Sequence, residues 1–224
     1  MKDEEKPLSE KESIVLITEM INKVKNSYHD TGMSAIMWGA VIAICSLVRL
    51  SEIHFGYKLP FDIYLLTLAA IIPQIFISIK ESRERKFKSY EDPFLDYLWL
   101  GFGITIFLMI HVVNLVFHEW NQAGDQLKLW KGLPPTFGFY EYVAPLMLIL
   151  YGMPTFVTGG AFKFKPMLWG GILCWVCSVI TVYTTIKIDL LLTAFSAVCA
   201  WFIPGIIMER DYRKAKRELK QVNV

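Results

Sequence analysis

Six apolar stretches of close to 20 residues, parted by short charged segments, leave this chain few folds to adopt. They run from Thr31 to Leu50, Phe61 to Ile79, Pro93 to Phe117, Phe137 to Val157, Met167 to Ile186 and Leu190 to Met208. A helix of about 20 apolar residues covers the hydrocarbon thickness of a bilayer, and a water-soluble core helix rarely stays uncharged for that length. With 54% of its 224 residues hydrophobic and a mean hydropathy of +0.39, the chain has more apolar surface than a soluble core of this size hides. The expected fold is therefore all-α: a polytopic membrane protein with six transmembrane helices. A soluble, very apolar helical protein is the weaker alternative.

Charge orients these spans. The segments before Thr31, between the second and third spans, around Lys163 and Lys165, and after Met208 hold 18 Lys and Arg residues. The other side holds five: Arg49, Lys58, Lys128, Lys131 and Lys187. Cationic loops stay in the cytoplasm during insertion, so both termini are expected there, with the protein in a bacterial inner membrane. The net charge of +2 is small and the Lys and Arg residues sit in a few clusters between apolar runs, which argues against a nucleic-acid surface. The start, "MKDEEKPLSEKES", is too charged for a cleavable leader, so the first span is expected to act as an uncleaved anchor.

Three organisational units follow: a cytoplasmic amphipathic helix in 1–30, a transmembrane domain over 31–208 with an outer loop at 118–136, and a basic tail over 209–224. Ser9 and Glu12 form a capping box, and Ile14, Ile17, Ile21, Val24 and Tyr28 then share one helical stripe. The polar face of that helix is slightly acidic, unlike leaflet-binding helices, which favours contact with protein. The contact is with the chain's own loops, a second copy or a separate partner. In the outer loop, Trp120, Leu127 and Trp130 fall on one helical face, as expected for a short helix at the interface or a lid.

The spans suggest three helical hairpins. Each returning span carries a proline near its cytoplasmic end, Pro73, Pro154 and Pro204. Trp38 and Pro73 are 35 positions apart, as are Trp169 and Pro204, whereas Trp99 and Pro154 are 55 apart, the excess being the outer loop. Bends at three matched prolines would open a vestibule on the cytoplasmic side; chance alignment and shared packing needs are the plainer account. Small residues four apart, Gly39 with Ala43, Gly101 with Thr105, Gly170 with Cys174 and Ser196 with Ala200, offer close helix seams.

Few residues promise chemistry. His111, Asn114 and His118 lie three and seven apart near the outer end of the third span, and Glu141 at the start of the fourth can approach them. The set reads as polar packing or a water-lined pocket, with a metal site as the sharper alternative. Cys174 and Cys177 form a C-x-x-C in mid-span, where thiolate is disfavoured and packing is the expected role. Asp62, Asp96 and Glu141 sit near span ends, within reach of water. Phosphate-loop, zinc-protease and nucleophile-elbow motifs are absent from the sequence, so no catalytic residue, cofactor or metal ligand is assigned.

The segments "EKESIVLITEMI", "MWG", "GGAFKFKPMLWGG" and "IPG" resemble a family of uncharacterised bacterial inner-membrane proteins of similar length. The resemblance implies six spans and a short cytoplasmic helix, and it brings no activity or site residue. The expected function is a non-enzymatic interaction or regulatory role exercised through the cytoplasmic face. The alternative is a small transporter or a lipid- or small-molecule-binding protein.

Overall fold

A computed structural model describes residues 31–84, 92–131 and 142–222, and every secondary-structure element among them is helical. The helices are α1 (Met33–Phe55), α2 (Leu65–Ala69), α3 (Ile71–Glu84), α4 (Asp92–Lys131), α5 (Val143–Ala161), α6 (Lys165–Thr181), α7 (Ile186–Ala197) and α8 (Ile203–Val222). A π-helical turn, Val198–Phe202, joins α7 to α8. Among the described residues five rods are long and apolar enough to cross a membrane: Met33–Phe55, Leu65–Arg83, Phe94–Trp120, Val143–Ala161 and Ile186–Lys214. The sixth apolar helix, α6, has 17 residues, the short end of what can span. The stripe Ile14 to Tyr28 and Glu141 lie outside the described residues.

Two expected boundaries move. The third apolar helix does not stop at Phe117, because neither Pro nor Gly intervenes until Gly124, and α4 runs on to Lys131, just before Gly132 and Pro134. The segment expected as an outer-loop helix therefore begins as a continuation of the third apolar helix. Likewise the sixth rod passes through Pro204 and Gly205 into the basic tail without ending. Proline has no N–H to give Ala200, and the backbone widens just before it: Ile203 N–H donates to Val198 O, five residues back.

Packing concentrates in two pairs. In the first, α5 and α6 are folded together by a tight turn. Phe164 N–H reaches Gly159 O at 2.8 Å and Phe162 N–H reaches Thr158 O at 3.0 Å, while Lys163 takes the left-handed conformation at φ 54° that such helix ends require. Pro166 then starts α6. Farther along, Ser178 Oγ donates to Pro145 O at 2.9 Å, tying the other ends of the two helices.

In the second pair, α1 lies along α7, the π turn and the start of α8, so the first and last described rods are neighbours. Small residues permit this approach. A Cβ on Gly39 would fall 2.5 Å from Phe202 N, and one on Gly170 of α6 would fall 2.6 Å from Ala200 Cα. Ile42, Ala43, Cys174, Ala194, Ala197, Ala200 and Trp201 form the buried core where these helices meet. Three of the four expected small-residue seams are thus buried in the bundle. The fourth is not, since Gly101 has open space around it and the Thr105 hydroxyl turns back to Gly101 O at 2.8 Å.

The second and third rods pack more sparsely against this centre, the third touching it through Phe102. Leu65–Arg83 is interrupted at Ala70, three residues before Pro73, which cannot donate to the carbonyl of Ala69. Most of its side chains are exposed, and so are most of those on α4.

Candidate functional site

The three proline positions differ in environment. Pro73 is exposed on α3, whereas Pro154 and Pro204 are among the most completely buried side chains, enclosed by packed helices rather than lining a shared opening. The Trp marks diverge too: Trp38 bonds to α3, Trp99 packs on Phe102, and Trp169 is 64% exposed.

Beside Pro154, Thr155 is fully buried. Its Oγ1 donates to Tyr151 O at 2.7 Å, a bond to the preceding turn, and accepts Trp201 Nε1–H at 2.7 Å. The Tyr151 and Trp201 rings lie 4.9 Å apart, and Phe102 of α4 meets both near edge-on at 6.2 and 6.4 Å. This aromatic knot joins α4, α5 and the π turn at one level. Its indole and hydroxyl are engaged with each other, so it serves as a joint and holds no activated nucleophile.

A second polar group bridges α1 and α3. Trp38 Nε1–H donates to Gln74 Oε1 at 3.0 Å, and Gln74 Nε2 donates to Ser34 Oγ and to Ser78 Oγ, each at 3.0 Å. One turn nearer the basic end, Thr31 Oγ1 donates to Glu81 Oε1. Gln74 thus makes three bonds, two across to α1 and one to Ser78 of its own helix, as the polar clasp between two rods that share little apolar contact. Its signal in sequence is the lone amide inside "IIPQIFISI", a feature that reasoning from charges and motifs passes over.

The opposite end of the bundle holds two buried carboxylates. Glu52, 6% exposed, accepts from Arg49 Nη1 at 2.9 Å and from Leu59 N–H at 2.8 Å, pinning the loop that leaves α1. Asp189, 1% exposed in the first turn of α7, accepts from Thr184 Oγ1 at 2.5 Å. A carboxylate there suits the positive end of the helix dipole. Sequence reasoning missed Asp189, which its position beside Lys187 disguised as a surface charge. Near it, the ends of α1 and α7 bound a shallow groove of about 370 Å³ lined by Leu47, Leu50, Phe55, Ile188 and Leu191 together with His54 and Lys187.

The expected polar stripe is not gathered into a pocket by the described residues. His111, Asn114 and His118 all lie on the exposed side of α4, and His118 Nε2 is 2.9 Å from Gln122 Nε2. Cys174 and Cys177 are buried free thiols on the α6 face toward the core, where they act as small packing side chains. Among the described residues no three His, Cys, Asp or Glu side chains come together as metal ligands would. No family model, curated protein or solved structure matches this chain.

Proposed function

We propose that this protein crosses a bacterial inner membrane six times, with both termini in the cytoplasm, and works by holding another protein through its cytoplasmic face. The uneven split of Lys and Arg, 18 against five, supports the orientation. The observation that carries the role is the contrast between inside and outside. Polar groups between the helices have partners within the chain, Trp201 on Thr155, Ser178 on Pro145 O and Gln74 on Trp38, while whole helices present bare surface.

The sixth rod also continues past its last apolar turn as α8, helical to Val222, a cationic arm whose charge has the same sign as the basic segment that follows α3 in the sequence. Affinity capture from detergent-solubilised membranes, with the intact chain and with a chain lacking residues 1–29, tests this role. A distinct partner lost on truncation supports it, and an unchanged set of partners removes it. Thiol labelling of single cysteines placed near each terminus tests the orientation.

The groove between α1 and α7 favours a second reading, a lipid- or small-molecule-binding membrane protein. It is lined mainly by apolar side chains, and Lys187 among its lining residues is a cation that would attract an anionic headgroup. A thermal shift on adding anionic phospholipid, reduced in Lys187→Ala, is what that reading requires.

A further inference from the structure

α4 carries two stripes at coiled-coil spacing on opposite sides. Leu95, Trp99, Phe102, Ile106, Met109 and Val113, separated by four and three residues in turn, are among its less exposed positions, with Leu98 and Phe117. Phe102 of this stripe meets Tyr151 and Trp201. On the far side Leu100, Ile104, Phe107, His111, Asn114 and His118 repeat the same alternation, and every one of them is exposed, Phe107 by 70%. A 3.5-residue repeat of large side chains is the pattern by which one helix packs along another.

The last three positions of the exposed stripe are polar. If Asp96 and the His118–Glu119 pair mark the two edges of the hydrocarbon, the 21 residues between cover about 31 Å. His111 then lies about 9 Å inside, with Asn114 between it and the edge. Acyl chains offer these side chains no hydrogen bond, and among the described residues neither has a bonding partner. A protein surface with donors and acceptors is the occupant they call for.

We infer that this occupant is α4 of a second copy, packed in parallel along the stripe from Leu100 to His118. This rests on the reading that α4 spans the membrane. Copies inserted the same way present their α4 helices in parallel, and a two-fold axis along the membrane normal sets each stripe residue against its own counterpart. That arrangement suits these side chains. A carboxamide and a neutral imidazole each have a donor and an acceptor, so Asn114 pairs with Asn114 and His111 with His111. Polar residues at such seam positions also fix register and strand number in parallel coiled coils.

Full-length protein in membrane vesicles provides the test. With a copper–phenanthroline catalyst and oxygen as oxidant, Leu100→Cys and Phe107→Cys are expected to give disulfide-linked species of twice the chain mass. Val112→Cys, exposed but off the stripe, is expected to give none. Energy transfer between labelled copies should report association about tenfold weaker in Asn114→Leu, the scale of an interhelical hydrogen bond in lipid. Equal cross-linking of Phe107→Cys and Val112→Cys, a Phe107→Cys cross-link confined within one chain, or undiminished energy transfer in Asn114→Leu would each overturn the pairing. Reaction of Phe107→Cys with a membrane-impermeant thiol reagent as fast as in water would instead refute the span itself, so the two failures are distinguishable.

Discussion

The indole N–H of Trp201 donates to the hydroxyl of Thr155 at 2.7 Å across 46 positions of sequence. Trp201 lies in the π turn just before Pro204, and Thr155 directly follows Pro154. Two of the proline sites that sequence alone marks as bends are therefore fastened together at the centre of the bundle.

Thr155→Val keeps the shape of the side chain and removes the oxygen to which Trp201 Nε1–H donates. Leaving that buried donor without an acceptor costs about 1–3 kcal/mol, read as a lower unfolding midpoint in detergent. Trp201→Phe combined with Thr155→Val should cost less than the sum of the two single changes, because they remove one shared bond.

Gly39 and Gly101 respond in opposite directions. Gly39→Val places side-chain atoms against the backbone of Phe202, and the seam between α1 and the π turn must open, lowering thermal stability. Gly101→Ala meets open space, gains helix propensity of about 0.8–1 kcal/mol, and should leave stability unchanged or raised.

Lys163→Gly relieves a left-handed residue at the turn between α5 and α6. The gain is about 1 kcal/mol, seen as a raised midpoint, with the turn's hydrogen bonds retained. Lys163→Val, with a β-branched side chain at the same position, is expected to lower it.

Gln74→Leu strips Trp38 and Ser34 of their shared partner on α3. Interhelical bonds of this kind contribute about 1 kcal/mol each in lipid, and the second rod has little other packing against α1. Hydrogen exchange should quicken in α3 while α5 and α6 stay as protected as in the parent protein.

Ser196 Oγ is buried with no hydrogen-bond partner among the described residues. Ser196→Ala is therefore expected to be neutral or mildly stabilising by calorimetry, unlike truncation of the bonded Thr155 hydroxyl.

Composition and periodicity by themselves determined that this chain is helical and apolar enough for a membrane, because the length of an uncharged run is a local property. They also marked Gly39, Gly170 and Ser196 as close-packing positions, since small residues four apart share one helix face. They could not say which rods meet. With lipid tails as apolar as leucine, apolar residues alone do not choose neighbours, and the choice falls to close backbone fit and scattered hydrogen bonds. Only the tertiary structure set α1 beside α7 and α8, fastened Thr155 to Trp201, made Gln74 a clasp and buried Asp189. It also left His111, Asn114 and His118 facing outward, which neither their spacing nor their chemistry fixes, because a helix face acquires an inside only when its neighbours have been placed.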